Sequence, residues 1–162
     1  MRLWRRPPTP GPQTIVGQWL RALLLDQREL RDELAARLNG GQKGWNRDEP
    51  AVVEAVCEIL VRRLFPPGVS PGPIASLAAD VRRVAEGALP AQQAIEALVR
   101  AALDGPGPDT PAVPPPQAYR VHVLVIAFVR GRLPLHEAAI DQVILAGERI
   151  ASERGRHPPG AG

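Results

Sequence analysis

The chain has 162 residues, 44% of them hydrophobic but only 4% aromatic, and a formal net charge of +3. That length suffices for one domain with a real core, or one domain and a small appendage. With so few rings the core must rest on Leu, Val, Ile and Ala, which suits helix-on-helix packing better than sheets.

The basic side is almost all arginine, Lys43 being the only lysine. Together with abundant Ala, Gly and Pro, this bias reads as the mark of a bacterium with a GC-rich genome rather than of a nucleic-acid binder, which needs its charges clustered on one face. A single cysteine, Cys57, excludes an internal disulfide and a zinc site built from thiolates. Arg2, Arg5 and Arg6 are followed by Pro7, Pro8 and Pro10 where a signal peptide would carry an apolar run. The longest apolar run, Val123 to Val129, falls far short of the roughly 18 residues of a membrane span. The expectation is a cytoplasmic protein with no membrane partner.

Residues 1–12 read as a disordered basic, Pro-rich arm with little to bury beyond Leu3 and Trp4. A first helix is expected from Gln13 to Leu38, because Ile15, Val16, Trp19, Leu20, Leu23, Leu24, Leu30, Leu34 and Leu38 fall largely at helical spacing. Asn39-Gly40-Gly41 closes it. Asn46 and Glu49 form a capping box for a second helix, with Pro50 in its first turn and Trp45 as a staple. Its apolar face is Val53, Val56, Cys57, Leu60 and Leu64, and Pro66-Pro67-Gly68 stops it. Ser70 as cap and Pro71 at the first helical position open a third helix. Ile74, Leu77, Ala78, Val81 and Val84 form its buried stripe, and Gly87 ends it. A fourth helix begins around Pro90 and closes at Asp104-Gly105.

Residues 105–116 follow as a Pro-rich linker of polyproline character. Beyond it, Gln117 to Arg130 contains VHVLVIAFV, apolar nearly all round. Its β-branched residues favour a strand, but no second strand offers itself as a ladder partner, so the segment is assigned as helix. Pro134 opens a last helix to about Glu153, with Leu135, Ala139, Val143, Ala146 and Ile150 on its apolar side. The fold expected is an all-α bundle of about six helices: a four-helix region over 13–104, a linker, and a helical hairpin over 117–154 packed on the first four, with a frayed tail over 155–162.

No constellation of residues announces a chemistry. Gly40-Gly41-Gln42-Lys43-Gly44 lacks the spacing and the hydroxyl residue of a phosphate loop, and it follows a helix instead of a strand. His122, His136 and His157 show no metal-binding spacing, and Glu137 and Asp141 read as a solvated face near a helix N-terminus. Cys57 sits among apolar neighbours with Glu54 and Glu58 opposing a thiolate, which marks it as packing. No catalytic, cofactor or metal residue is assigned.

The reading that remains is a non-enzymatic interaction module, an adaptor or regulatory component whose partner is another protein or a second copy of itself. The apolar C-terminal hairpin supplies the contact residues: Leu124, Phe128, Leu135 and Val143. The alternative is a nucleic-acid-associated regulator that contacts phosphates through Arg62, Arg63, Arg82 and Arg83, with Arg120, Arg130 and Arg132 as a further set.

Overall fold

A helix whose apolar residues cover most of its circumference has to be covered on several sides, and the segment after Asp48, polar beyond its first turn only at Glu54, Glu58, Arg62 and Arg63, is of that kind. In the computed structural model, which describes residues 11–40, 48–85, 90–105, 107, 110 and 112–156, seven helices are found and no strand. They are α1 (Ile15–Leu24), α2 (Arg28–Gly40), α3 (Asp48–Leu64), α4 (Pro71–Val84), α5 (Gln92–Asp104), α6 (Pro115–Arg130) and α7 (Glu137–Arg156). The arm over 1–10, the Trp45 and Asn46 capping positions, the Gly87 stop and part of the Pro-rich linker lie outside the described residues.

Helix α3 is the axis. Val52, Val53, Ala55, Val56, Cys57, Leu60 and Val61 are all buried along it. It is covered by α1, α5, α6 and α7, with α4 closing over α5 and α6. Each covering helix contributes a stripe to one continuous core: Val16, Leu20 and Leu24 from α1, Ile74, Leu77 and Val81 from α4, Ile95 and Val99 from α5, Val121, Val125, Ile126 and Val129 from α6, and Ile140, Val143 and Ile144 from α7. The segment around Val125 is therefore helical, and its β-branched side chains fill the groove against α3. No buried polar or charged side chain interrupts the core among the described residues.

Helices α3 and α7 approach closely at Gly147. A Cβ built on Gly147 would lie 2.5 Å from Val56 Cγ2 and 3.3 Å from Val56 N. Glycine at this point lets the two backbones meet. A second close approach ties α1 to α7, which run antiparallel. Thr14 caps α1, accepting from Gly17 N at 2.9 Å, and its hydroxyl donates to Glu148 Oε1 at 2.6 Å. The Glu148 carboxylate also accepts from the backbone N–H groups of Gln13 and Thr14. A Cβ on Gly17 would collide with Glu148 Oε1. Further along the same pair, Arg21 Nε donates to Asp141 Oδ1 at 2.6 Å and Nη2 to Glu137. Asp141 thus faces α1, while Glu137 reaches Arg21 from a position that stays largely exposed.

The expected single helix from Gln13 to Leu38 is two helices. Leu25 caps α1, Asp26 takes φ +55°, and the chain reverses into α2. Gln27 N donates to Ala22 O at 2.9 Å and Asp26 N to Leu23 O at 3.3 Å, the paired bonds of a Schellman motif. Aspartate tolerates the left-handed region through its short polar side chain, so the helix stops without the glycine that usually announces a stop. The region before the linker consequently holds five helices.

Other boundaries moved for local reasons. Pro115 and Pro116 belong to the first turn of α6, where a missing N–H costs nothing. Ser70 occupies the cap position of α4 in extended backbone, yet its side chain makes no capping bond. Helix α7 opens three residues after Pro134, with His136 as cap: Nδ1 accepts from Ala139 N at 3.1 Å, and the His136 carbonyl accepts from Ile140 N at 3.1 Å. It continues through Gly155 to Arg156.

Gly147→Ala should destabilise the chain by about 1–3 kcal/mol, the usual cost of overpacking a tight site, measured as a lowered midpoint in urea. Because the nearest atom is a methyl of Val56, combining it with Val56→Ala should cost less than the sum of the two single changes. Strict additivity would mean that the α3–α7 approach is not limited by this pair.

Candidate interaction surface

Helix α6 is buried at Val121, Val125, Ile126 and Val129. Leu124 and Phe128, on the flank of that stripe, are half-buried, and Ala127 beside them is exposed. Leu135, in the turn that enters α7, is half-buried as well, and all three of these larger side chains pack against the rim of the core. Val143 lies elsewhere: it is 1% exposed, inside the core. The four apolar residues singled out from the sequence thus divide into one core residue and three at the edge.

The most exposed large apolar side chain among the described residues is one that the helical stripe would have buried. Val84 is 62% exposed, with Ile15 at 38% and Leu30 at 42%. The stripe of α4 runs Ile74, Leu77, Ala78, Val81, and each of these is covered. Val84 is the last helical residue; at Ala85 the backbone turns extended, with φ −74° and ψ 118°. Periodicity continues the stripe to Val84, but the neighbouring helices do not reach that far.

The four arginines proposed as phosphate contacts fall in two places. Arg62 and Arg63 end α3. Arg62 Nε donates to Ala102 O at 3.1 Å, closing the last turn of α5, and Arg100 Nη1 donates to Val69 O at 3.3 Å across the same small cleft of about 190 Å³. Phe65, Pro66, Pro67 and Leu103 give that cleft apolar walls. Arg82 and Arg83 end α4. Counted from Pro71, they stand about 17 Å further along the helix. Here Arg83 Nη2 meets Asp80 Oδ1 at 3.0 Å, and Arg132 Nη2, from the turn after α6, meets Asp80 Oδ2 at 2.7 Å. Arg82 is exposed. The structure does not bring the two pairs together; it adds Arg132 to the second. Arg130 turns inward, donating from Nε to Leu24 O at 2.9 Å and from Nη1 to Leu133 O at 3.4 Å. Arg120 is exposed on the first half of α6.

The remaining ionisable side chains tie helices to one another. Arg154 forks Glu58, with Nη1 to Oε1 at 3.1 Å and Nη2 to Oε2 at 2.9 Å. The Tyr119 hydroxyl donates to Glu49 Oε1 at 3.0 Å, and burial followed by the Glu49 charge pushes its ionisation up. Burial raises the Cys57 thiol far above its ordinary value, with Glu58 and Glu54 adding to the effect, so this sulfur stays protonated in the core. Partial desolvation raises the Glu54 carboxyl, although the residue as a whole is exposed, with the Glu58 charge adding and Arg154 opposing. His122 is pulled the other way: burial lowers it, and Glu58 only partly compensates. No group of three or more His, Cys, Asp or Glu able to hold a metal occurs among the described residues, and no helix there is long and apolar enough to cross a membrane.

His122 generates a pH dependence of defined sign. Its imidazole takes up a proton less readily folded than unfolded, so the unfolded chain binds more protons just below the ordinary value of 6.5, and stability falls as the pH drops through that range. Urea titrations at pH 7 and pH 5 should show a larger loss for the natural chain than for His122→Gln; equal losses would assign the acid sensitivity to other groups. Compared with family models, with curated proteins and with solved structures, the chain shows no match, and the functional reading rests on the geometry.

Proposed function

We propose that the chain is a non-enzymatic helical protein–protein interaction module, an adaptor or regulatory component of a bacterial cytosol, and that it meets its partner at the end of the bundle where α4 and α6 finish. The observation that carries this reading is the exposure of Val84, a large apolar side chain that ends α4 directly after Arg82 and Arg83. The Asp80–Arg132 contact fixes the end of α6 beside it. Phe128, half-buried, lies one turn before Arg132. Apolar area rimmed by charged and polar groups is the usual composition of an interface. The partially covered side chains of α6, Leu124 and Phe128, extend the same reading along the helix, with Leu135 at the start of the next.

The alternative, a nucleic-acid-associated regulator, draws on Arg62, Arg63, Arg82 and Arg83. Its four guanidinium groups are dispersed over two sites, and those of Arg62 and Arg83 already hold a carbonyl and a carboxylate. Positioning contacts to phosphates favour an array along one face, which counts for the protein partner.

Capture of partners from native lysate by the tagged chain, after nuclease treatment, tests both. A retained protein should be lost with Val84→Asp, while the thermal midpoint stays near that of the natural chain, because exposed substitutions usually change stability by less than about 0.5 kcal/mol. Val81→Asp, three residues earlier and buried, should instead unfold the bundle. Retention indifferent to Val84→Asp would remove this surface from the proposal, and partners lost on nuclease treatment would put the nucleic-acid reading first.

A further inference from the structure

We infer that the cleft between the ends of α3 and α5 binds a small organic carboxylate with an apolar body, the carboxylate on Arg62 and Arg100 and the body against Phe65 and Leu103. All four side chains line this one cleft. It lies apart from Val84, and the inference does not depend on a protein partner docking there.

The two guanidinium groups are held in place before any ligand arrives. Arg62, in the last turn of α3, gives Nε to Ala102 O at 3.1 Å. Arg100, one turn before the end of α5, gives Nη1 to Val69 O at 3.3 Å. The turn that offers Val69 is itself closed, with Val69 N donating to Pro66 O at 3.2 Å and Gly68 at φ +73°. Each arginine thus spends one nitrogen on a backbone carbonyl. A guanidinium has five N–H donors in a fixed fork, so donors remain on both, and a carbonyl positions a cation without cancelling its charge. Binding to groups already fixed costs less ordering than binding to free side chains.

Among the described residues lining the cleft, Asp104 is the one acid. Its Oδ2 stands 3.7 Å from Arg100 Nη1, beyond hydrogen-bond distance, and its side chain is 60% exposed. This loose pairing leaves Arg62 with no carboxylate among the described residues and the cleft positive by about one charge. The guanidinium fork matches a planar carboxylate better than a point charge would.

Size and walls narrow the ligand further. The volume of about 190 Å³ is room for about six waters, small beside the clefts that hold drug-sized molecules. Phe65 is buried and Leu103 half-buried, and both belong to the packed core or its edge, so the apolar side of the cleft is firm. Inorganic phosphate would meet the arginines and leave these walls without a contact. A neutral apolar molecule would do the reverse, leaving the donors unpaired. A short acid with an aromatic or branched aliphatic body satisfies both.

The test titrates the full chain, labelled with nitrogen-15, with phenylacetate, its neutral analogue phenylacetamide, and inorganic phosphate, following the backbone amide signals. Phenylacetate should saturate and move amides in 65–69 and 100–105, and the other two probes should bind at least several-fold more weakly. Arg62→Gln and Arg100→Gln should each weaken phenylacetate by about tenfold, the loss of one charge-assisted contact. Asp104→Asn should tighten it several-fold by removing the internal competitor, a gain that damage to the fold would not produce. Arg83→Gln, on the last turn of α4, should leave binding unchanged. The inference is overturned if phenylacetate does not saturate, if its shifts fall outside the cleft, or if phenylacetamide or phosphate binds as tightly. It is overturned equally if Arg62→Gln and Arg100→Gln, with their amide spectra otherwise intact, bind as the natural chain does, or if Asp104→Asn brings no gain.

Discussion

The bundle depends on the broad apolar face of α3 being withdrawn from water. Seven of its residues are buried apolar side chains, and each Val or Leu taken fully out of water stabilises the fold by about 1.5–3 kcal/mol. A partly exposed ion pair contributes about 1 kcal/mol or less. The cross-helix contacts of Arg21 with Asp141 and of Arg154 with Glu58 are therefore secondary: they fix the angle and register at which α1 and α7 lie, after the covering of α3 has decided that they must lie there. Gly147 is where that covering is tightest, and a helix that supplies a glycine at its crossing gives up helical propensity to bring two backbones together.

The elements that follow from hydrophobic period were legible. The four central positions Val53, Val56, Cys57 and Leu60 repeat at helical spacing and are buried, Cys57 is packing, and the run around Val125 is a helix packed against α3. What escaped has a common character: it depends on contacts between residues far apart in the chain, or on a residue used against its statistical type. Asp26 stops α1 in a left-handed conformation where a glycine would have been read as a stop. Glu148 caps α1 from a distance of more than a hundred residues. Gly17 and Gly147 are needed only because Glu148 and Val56 stand opposite them, which no local pattern reveals.

The candidate surface illustrates the same division. Val143, singled out as a contact residue, lies on the apolar stripe of α7 and belongs to the core, while Val84 lies on the apolar stripe of α4 and is exposed. Period fixes which side of a helix a residue occupies, but coverage depends on how far the neighbouring helices extend. The last turn of a helix is where the two part company, and Val84 is the last residue of α4.

The arginines resolve by the same argument from helix ends. A helix leaves its last carbonyls without partners, and cations are favoured there by the macrodipole. Arg130 serves the end of α1 at Leu24, and Arg62 serves the end of α5 at Ala102. Arg100 performs a related task for the loop carbonyl of Val69. Composition alone makes the chain look basic, yet these three cations are held by its own backbone. Arg82, Arg83 and Arg132 differ. Arg83 and Arg132 share a single carboxylate, that of Asp80, and keep part of each side chain exposed, while Arg82 is exposed on the last turn of α4. A positive charge that meets a backbone carbonyl at a helix end is positioned by folding; these three are set by the last turn of α4 and the turn after α6 and close no helix.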